Sequence, residues 1–215
     1  MTFVPHVLRS RIAAGMLAAV TLTIGLSACA PLIVGGAMGG ALVAVDRRTS
    51  GAQLDDQGIE LRATNRLRDQ MGNRARAAVT SYNRRVLLTG EVASAADKEL
   101  ASKIVSGVDN VAEIVNELSV TNSPTLTERA TDTLITGRLK ASLVDAKDLS
   151  ANAFKVVTER STVYLMGRVT QREADRATDI ARNTSGVQRV VRSFEILTEE
   201  ELARMLPKPA ANEAK

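Results

Sequence analysis

The sequence predicts an α+β fold made twice over: two tandem αββαβ units, each a three-stranded mixed sheet covered on one face by two helices. Three observations predict it. The run Val86-Leu87-Leu88-Thr89-Gly90-Glu91-Val92 returns as Val163-Tyr164-Leu165-Met166-Gly167-Arg168-Val169, and the two glycines stand 77 positions apart (167 − 90). Upstream of each copy lies a second run, Ala78-Val79-Thr80 and Lys155-Val156-Val157, joined to it by a polar turn: Tyr82-Asn83-Arg84-Arg85 and Glu159-Arg160-Ser161-Thr162. Two such runs with a short turn between them read as a β-hairpin. An isolated hairpin is barely stable in water, and each one here is flanked by segments with apolar residues at helical spacing.

In the first unit, Asp55-Asp56 offers negative charge where a helix N-terminus favours it, and Leu61, Thr64, Leu67 and Met71 follow as the helical stripe. Gly72-Asn73 closes that helix. After the hairpin, Ser94-Ala95-Ala96-Asp97 opens a second helix carrying Leu100, Ile104 and Val108. Asp109-Asn110 breaks it, and Ile114 to Val120 returns as one strand. A strand reached through a helical crossover pairs in parallel and with right-handed connection. Gly90 and Gly167 are expected where a covering helix comes close to the sheet.

Asn122-Ser123-Pro124 separates the units, since Pro fits neither neighbouring element. Thr127-Glu128-Arg129-Ala130 opens the next helix, whose inward stripe is Ile135, Leu139 and Leu143. The second hairpin follows, then a helix from Gln171 to Asn183. Gly186 takes the place of Asn110, both being residue types that accept positive φ at a helix C-cap. Val190, Phe194 and Ile196 form the last strand. Thr198-Glu199-Glu200-Glu201 has capping-box spacing for a short helix to Met205, and Pro207 to Lys215 reads as a frayed tail.

Composition narrows the function. Of 215 residues, 45% are apolar but only 2% aromatic, so the cores are aliphatic. The formal charge is +4. Removing Arg9 and Arg11 with the export signal leaves about +2, too little for a general polyanion binder with a clustered basic face. Arg9 and Arg11 precede the apolar run Ile12 to Leu26, a charged region and a hydrophobic region in the order of an export signal. The run ends in Leu26-Ser27-Ala28-Cys29, which resembles the bacterial lipobox, in which the thiol receives diacylglycerol. Two acyl chains and a third on the amine, at ~0.8 kcal/mol per buried methylene, make a stable anchor. Ala30 rather than Asp after the cysteine implies the outer membrane in Gram-negative sorting. Pro31 to Val45, with Gly35, Gly36, Gly39 and Gly40, is short for a membrane span and reads as a flexible leader near the bilayer surface. Asp46 to Gly51 then reads as a polar linker.

The chain resembles the dual-BON-domain outer-membrane lipoproteins. The residues that carry this are the lipobox at Cys29, Leu54-Asp55-Asp56-Gln57-Gly58-Ile59-Glu60-Leu61, the two hairpin runs ending at Gly90 and Gly167, Val108-Asp109, Val115-Asn116-Glu117-Leu118 and Ser185-Gly186-Val187. The resemblance divides the chain into a signal peptide at 1–28, a lipidated leader and linker at 29–53, and a first BON domain at 54–121. A linker at 122–126, a second BON domain at 127–197, and a short helix with a disordered tail at 198–215 complete it. It implies a periplasm-facing protein that binds anionic phospholipid through its second BON domain and supports envelope integrity. It also implies association with division sites and with the outer-membrane assembly machinery. Leu134 stands where family members can place a larger aromatic.

A catalytic reading finds no support in the residues. Ser-His and Cys-His nucleophiles and His metal sites need a histidine in the mature chain, yet the single histidine, His6, lies in the signal and the single cysteine is Cys29. The glycines at 35–40 lead to no Lys-Ser/Thr, as a phosphate loop would require. No cofactor is expected beyond the acyl groups on Cys29, no metal and no nucleic acid. The membrane reading has a sharper site. Leu134 falls about 140° from the centre of the inward stripe at 100° per residue, with Gly137, Arg138 and Ala141 beside it. The leucine can enter the acyl boundary and Arg138 can pair with phosphate, while Lys140 can reach a neighbouring headgroup. Arg168 and Arg172, beyond the repeated glycine, are further candidates. The alternative is a periplasmic protein-interaction scaffold without direct lipid binding, in which an exposed Leu134 is ordinary or packs against the other unit.

Overall fold

Thr49 starts the first helix: its hydroxyl accepts the amide of Ala52, a side-chain N-cap. The computed structural model describes residues 46–205. The signal, the lipobox with Cys29, the leader to Val45 and the tail from Leu206 lie outside the described residues. In the first unit, helix α1 (Ser50–Met71) leads to the hairpin β1 (Ala75–Tyr82) and β2 (Arg85–Val92), then helix α2 (Ala95–Ser106) and strands β3 (Glu113–Asn116) and β4 (Ser119–Val120). The second unit repeats the order with α3 (Leu126–Asp145), β5 (Phe154–Glu159), β6 (Thr162–Thr170), α4 (Gln171–Arg182) and β7 (Arg189–Leu197). The short helix α5 (Glu199–Met205) follows. Both hairpins are antiparallel, and the later strands pair with β2 and β6 in parallel, so each sheet is mixed.

Each hairpin turns on two residues with positive φ, Asn83 and Arg84 in one, Arg160 and Ser161 in the other. This is the backbone of a type I′ turn, whose twist suits the flanking strands. Three of these four residues are neither Gly nor Asn, and the structure shows what holds them. Asp56 in α1 is buried, and its carboxylate accepts the Asn83 amide at 2.7 Å, the Arg84 amide at 2.7 Å and the Ser81 hydroxyl at 2.6 Å. Asp132 in α3 does the same for the amides of Arg160 and Ser161, both at 2.8 Å. Asp56 is therefore a clamp on the hairpin and not a helix-dipole residue, because α1 begins at Ser50, about one and a half turns earlier than its acidic pair suggested.

Other expectations are corrected in the same physical terms. The buried stripe of α1 is Ile59, Ala63, Leu67 and Met71, while Leu61 and Thr64 face solvent. The third strand of the first unit is broken between β3 and β4. Asn116 donates to the Lys98 carbonyl and the Ser102 hydroxyl and accepts the Leu118 amide, replacing ladder bonds and turning Leu118 into the core. The repeated glycines answer to the backbone at or just before the partner strand and not to a covering helix. A Cβ at Gly90 would lie 2.1 Å from the Arg76 carbonyl oxygen, and one at Gly167 would lie 2.3 Å from that of Ala153, in each case the backbone just before the hairpin partner. Asn110 and Gly186 both have positive φ as expected, but they stand three residues beyond the helix C-caps, which are Gly107 and Asn183.

Each sheet has two apolar faces. In the first unit Val86, Leu88 and Val92 meet α1 and α2. In the second, Val163, Leu165 and Val169 meet Ile135, Leu139 and Leu143 of α3 and the alanines of α4, with Phe154 and Phe194 edge to face, ring centroids 6.0 Å apart. The alternate residues face the other way and join the two sheets: Tyr82, Leu87, Tyr164 and Met166 form one buried cluster with Val115, Val157 and Val191 against it. The helices are thus the outer layers and the sheets the inner ones. Polar contacts ring this seam, including Asn83 to Glu195 at 2.6 Å, Arg189 to Glu117 at 2.8 Å and Arg85 to the Phe194 carbonyl at 3.1 Å.

Replacing Asp132 with Ala strips two buried turn amides of a charged acceptor, at a cost of about 2–4 kcal/mol. Urea unfolding of the mature chain with Cys29→Ser is expected to show that loss, and Asp145→Ala, at an exposed position, is expected to leave the midpoint unchanged.

Candidate lipid-contact face

Helix α3 is started by a complete capping box. The Thr125 hydroxyl accepts the Glu128 amide and the Glu128 carboxylate accepts the Thr125 amide. Ile135, Leu139 and Leu143 fix its inward side at full burial. The opposite side is therefore determined: Leu126, Ala130, Leu134, Gly137, Ala141 and Val144 fall within about 80° of arc and run about 27 Å along the helix. All six are exposed, the three large ones by 85% (Leu126), 59% (Leu134) and 69% (Val144). Gly137 would have no neighbour within 4 Å of a Cβ, so the surface there is open.

Arg138 and Lys140, both exposed, flank this apolar strip. Arg138 Nη1 donates to the Ser185 carbonyl at 3.4 Å, which lays the guanidinium along the groove between α3 and α4, a space of about 610 Å³. Arg176 lies on the same groove and pairs with Asp148 at 3.1 Å. The structure thus brings Leu134, Gly137, Arg138, Lys140 and Ala141 onto one side of one helix. It adds Leu126, Ala130 and Val144, which a full angular reading of the helix would have found. Among the described residues, no group of three or more His, Cys, Asp or Glu is placed to hold a metal ion, and no helix is long and apolar enough to cross a membrane.

Arg168 and Arg172 do not join that side. Arg172, at the start of α4, is mostly exposed and donates to the Asp148 carbonyl at 3.3 Å. Arg168, in β6, is committed internally: Nε donates to Glu195 at 2.9 Å and Nη1 to the Arg47 carbonyl at 3.0 Å. Arg47 returns the contact, donating to the Arg168 carbonyl at 3.0 Å, and makes a two-point pair with Glu173 at 2.7 and 2.8 Å, both side chains 4% exposed. Its neighbour Arg48 reaches the first unit instead, pairing with Asp56 at 2.7 Å and lying 4.3 Å over the Tyr82 ring. The stretch expected to be a linker is therefore a strap across both units. Burial, with the nearby Asp46 charge, pushes the Tyr82 phenol up to about 12.

The fold, the duplicated hairpins and the glycine positions identify the class. The chain belongs to the BON domain family, whose profile matches residues 55–122 and 131–198. It is similar to the outer membrane lipoprotein DolP of Haemophilus influenzae, 36% identical over 177 residues, which covers 81% of this chain and 92% of that protein. It is also similar to a 21 kDa hemolysin of Actinobacillus pleuropneumoniae, 35% identical over 69% of this chain and 77% of the other. A third relative, the osmotically-inducible protein Y of Escherichia coli, is 34% identical over 49% of this chain and 54% of its own length. The chain is an outer-membrane lipoprotein, held by lipid and facing the periplasm.

Burial alone would raise the Glu173 carboxyl, but the Arg47 hydrogen bonds, the Thr170 amide and the charges of Arg47 and Arg172 outweigh it and hold the group below the ordinary carboxylate range. A lowered folded-state value stabilises the fold above the ordinary value of about 4.3, and that stability is lost as pH falls through the folded value. Arg47→Ala leaves a buried, unpaired carboxylate at a cost of about 3–5 kcal/mol at pH 7. Denaturant midpoints between pH 7 and pH 3 are expected to converge for the wild type and this variant as Glu173 protonates.

Proposed function

We propose that this lipoprotein binds anionic phospholipid through its second BON domain and in doing so helps maintain envelope integrity at division sites, in association with the outer-membrane assembly machinery. Cys29 carries the acyl chains that keep it at the bilayer. The outward side of α3 carries the reading. Leu126, Leu134 and Val144 are large, apolar and exposed on one line, the intervening residues are small, and Arg138 and Lys140 flank them. Such a strip can sink into the acyl boundary while the flanking cations meet phosphate, each basic residue contributing about 1 kcal/mol near an anionic surface. A single exposed leucine would be ordinary, but a strip opposite a fully buried stripe is an interfacial helix pattern. The groove between α3 and α4, with Arg138 and Arg176 on it, offers a place for a headgroup beside the strip.

The test is flotation of the full mature chain, with Cys29→Ser so that no acyl anchor contributes, against phosphatidylglycerol and phosphatidylcholine vesicles. Binding is expected for the anionic vesicles only, with release at high salt. Leu134→Glu is expected to weaken it about tenfold or more, with unchanged thermal unfolding because the side chain makes no core contact. Undiminished binding by Leu134→Glu would overturn the assignment to α3. Failure to float with either vesicle would leave the interaction-scaffold reading in its place.

A further inference from the structure

On the far side of the seam from the strap lies a cleft of about 370 Å³ between the two units, walled by Arg76, Ala77 and Ala78 of β1 and by α3 and β5 of the second unit. Its floor is acidic. Glu91 is 5% exposed, and its Oε1 has no hydrogen-bond partner. The nearest cation, Arg160, stands 3.5 Å away, with the same nitrogen already donating to the Asn122 carbonyl. Asp132 is buried beside it with its oxygens taken by turn amides. Glu159 is half-buried and held above the ordinary carboxylate range by burial and by the charges of Glu91 and Asp132. Arg76 and Arg129, by contrast, are exposed at the rim, where water solvates them. Oε1 is thus held by Arg160 at ion-pair range only, and a donor cation entering from the cleft would supply the hydrogen bond it lacks.

The wall says how that cation is carried. β1 is an outer strand, paired on one side only, with β2. In an antiparallel ladder alternate residues direct both backbone groups away from the partner. The Ser81 amide points outward, to Glu60 at 2.8 Å, so Ala77 and Val79 share that outward set. Their side chains turn into the first unit's core, so along this edge it is backbone that another chain would meet. An unpaired edge beside a pocket for alternate side chains is the arrangement by which extended peptides add to sheets.

We propose that this cleft receives a basic side chain borne by an extended segment of a partner protein, the segment pairing with the free edge of β1 and its ammonium or guanidinium group meeting Glu91. The surface is separate from the outward side of α3 and stands or falls independently of lipid binding. The probe is a blocked peptide, Thr-Val-Lys-Val-Thr, titrated into the isotope-labelled mature chain with Cys29→Ser and followed by amide chemical shifts. Shifts are expected at Ala77, Val79 and Glu91, with affinity about tenfold weaker for the same peptide with norleucine in place of lysine, since a charge-assisted hydrogen bond is lost. Glu91→Gln is expected to lower the affinity to a similar extent. Equal binding of the lysine and norleucine peptides, shifts elsewhere, or no shifts would overturn the proposal. So would equally tight binding of free 1,5-diaminopentane, which would make the cleft a small-amine site. The first comparison uses the wild-type chain alone, so it holds even if Glu91→Gln disturbs the fold.

Discussion

The structure depends on covering the second face of each small sheet. Three strands and two helices bury one face only, and Leu87, Tyr164 and Met166 alternate with the helix-facing residues of β2 and β6. Left in water, such a row would be an exposed apolar patch of the kind that drives association. The duplication supplies the cover: each copy closes the other. Both tyrosines of the chain lie at that seam, where the large ring adds apolar area and the hydroxyl can reach the polar rim. Tyr164 is raised from its ordinary range, chiefly by burial.

From that constraint follows the placement of everything functional. With sheets inside, helices are the outer layers, and the side of α3 away from its core stripe must face outward. The strap follows too. Arg47 is bound to the second unit and Arg48 to the first, so the residues that lead from the anchor enter the fold at the junction of the two copies. A chain tethered in this way bears on both units at once, and the isolated second domain, lacking Arg47, would retain Glu173 as a buried carboxylate without its guanidinium.

Much of this was legible in the sequence because it is local. Alternation gave the hairpins, helical spacing gave Ile135, Leu139 and Leu143, and residue chemistry gave the positive φ shared by Asn110 and Gly186. What was not legible is non-local. A carboxylate that clamps a turn 27 positions later looks, in sequence, like an acid near a helix start; only the near-equal spacing of Asp56 and Asp132 from their hairpins marks it (83 − 56 = 27 and 160 − 132 = 28). Nor does a period of two say what lies beyond the sheet, so neither the seam nor its tyrosines could be assigned. The glycines were placed correctly in the strands but for a different neighbour, since a carbonyl of the chain segment across the hairpin leaves no trace in the local pattern.

The two copies have diverged in ways that bear on function. Asp97 in the first unit pairs with Arg74 of the same unit at 2.8 Å. Its counterpart Glu173 has Ser150 at the matching position and takes its arginine from the strap instead. Arg62 and Arg138 also correspond, and each donates at 3.4 Å to a carbonyl beyond the second helix, of Asp109 and Ser185. Arg138 therefore shares with Arg62 a contact internal to its own unit, which places its guanidinium beside the groove. The outward residues differ more. Leu54, Gly58, Leu61, Asn65 and Arg68 in α1 become Ala130, Leu134, Gly137, Ala141 and Val144 in α3. The first series turns polar after Leu61, while the second stays apolar or small to the end of its helix. An interfacial helix needs an uninterrupted strip, and of these two helices α3 has one. The same scaffold thus presents one side suited to a bilayer and one suited to water, a difference set by a few outward positions that the shared core leaves free to vary.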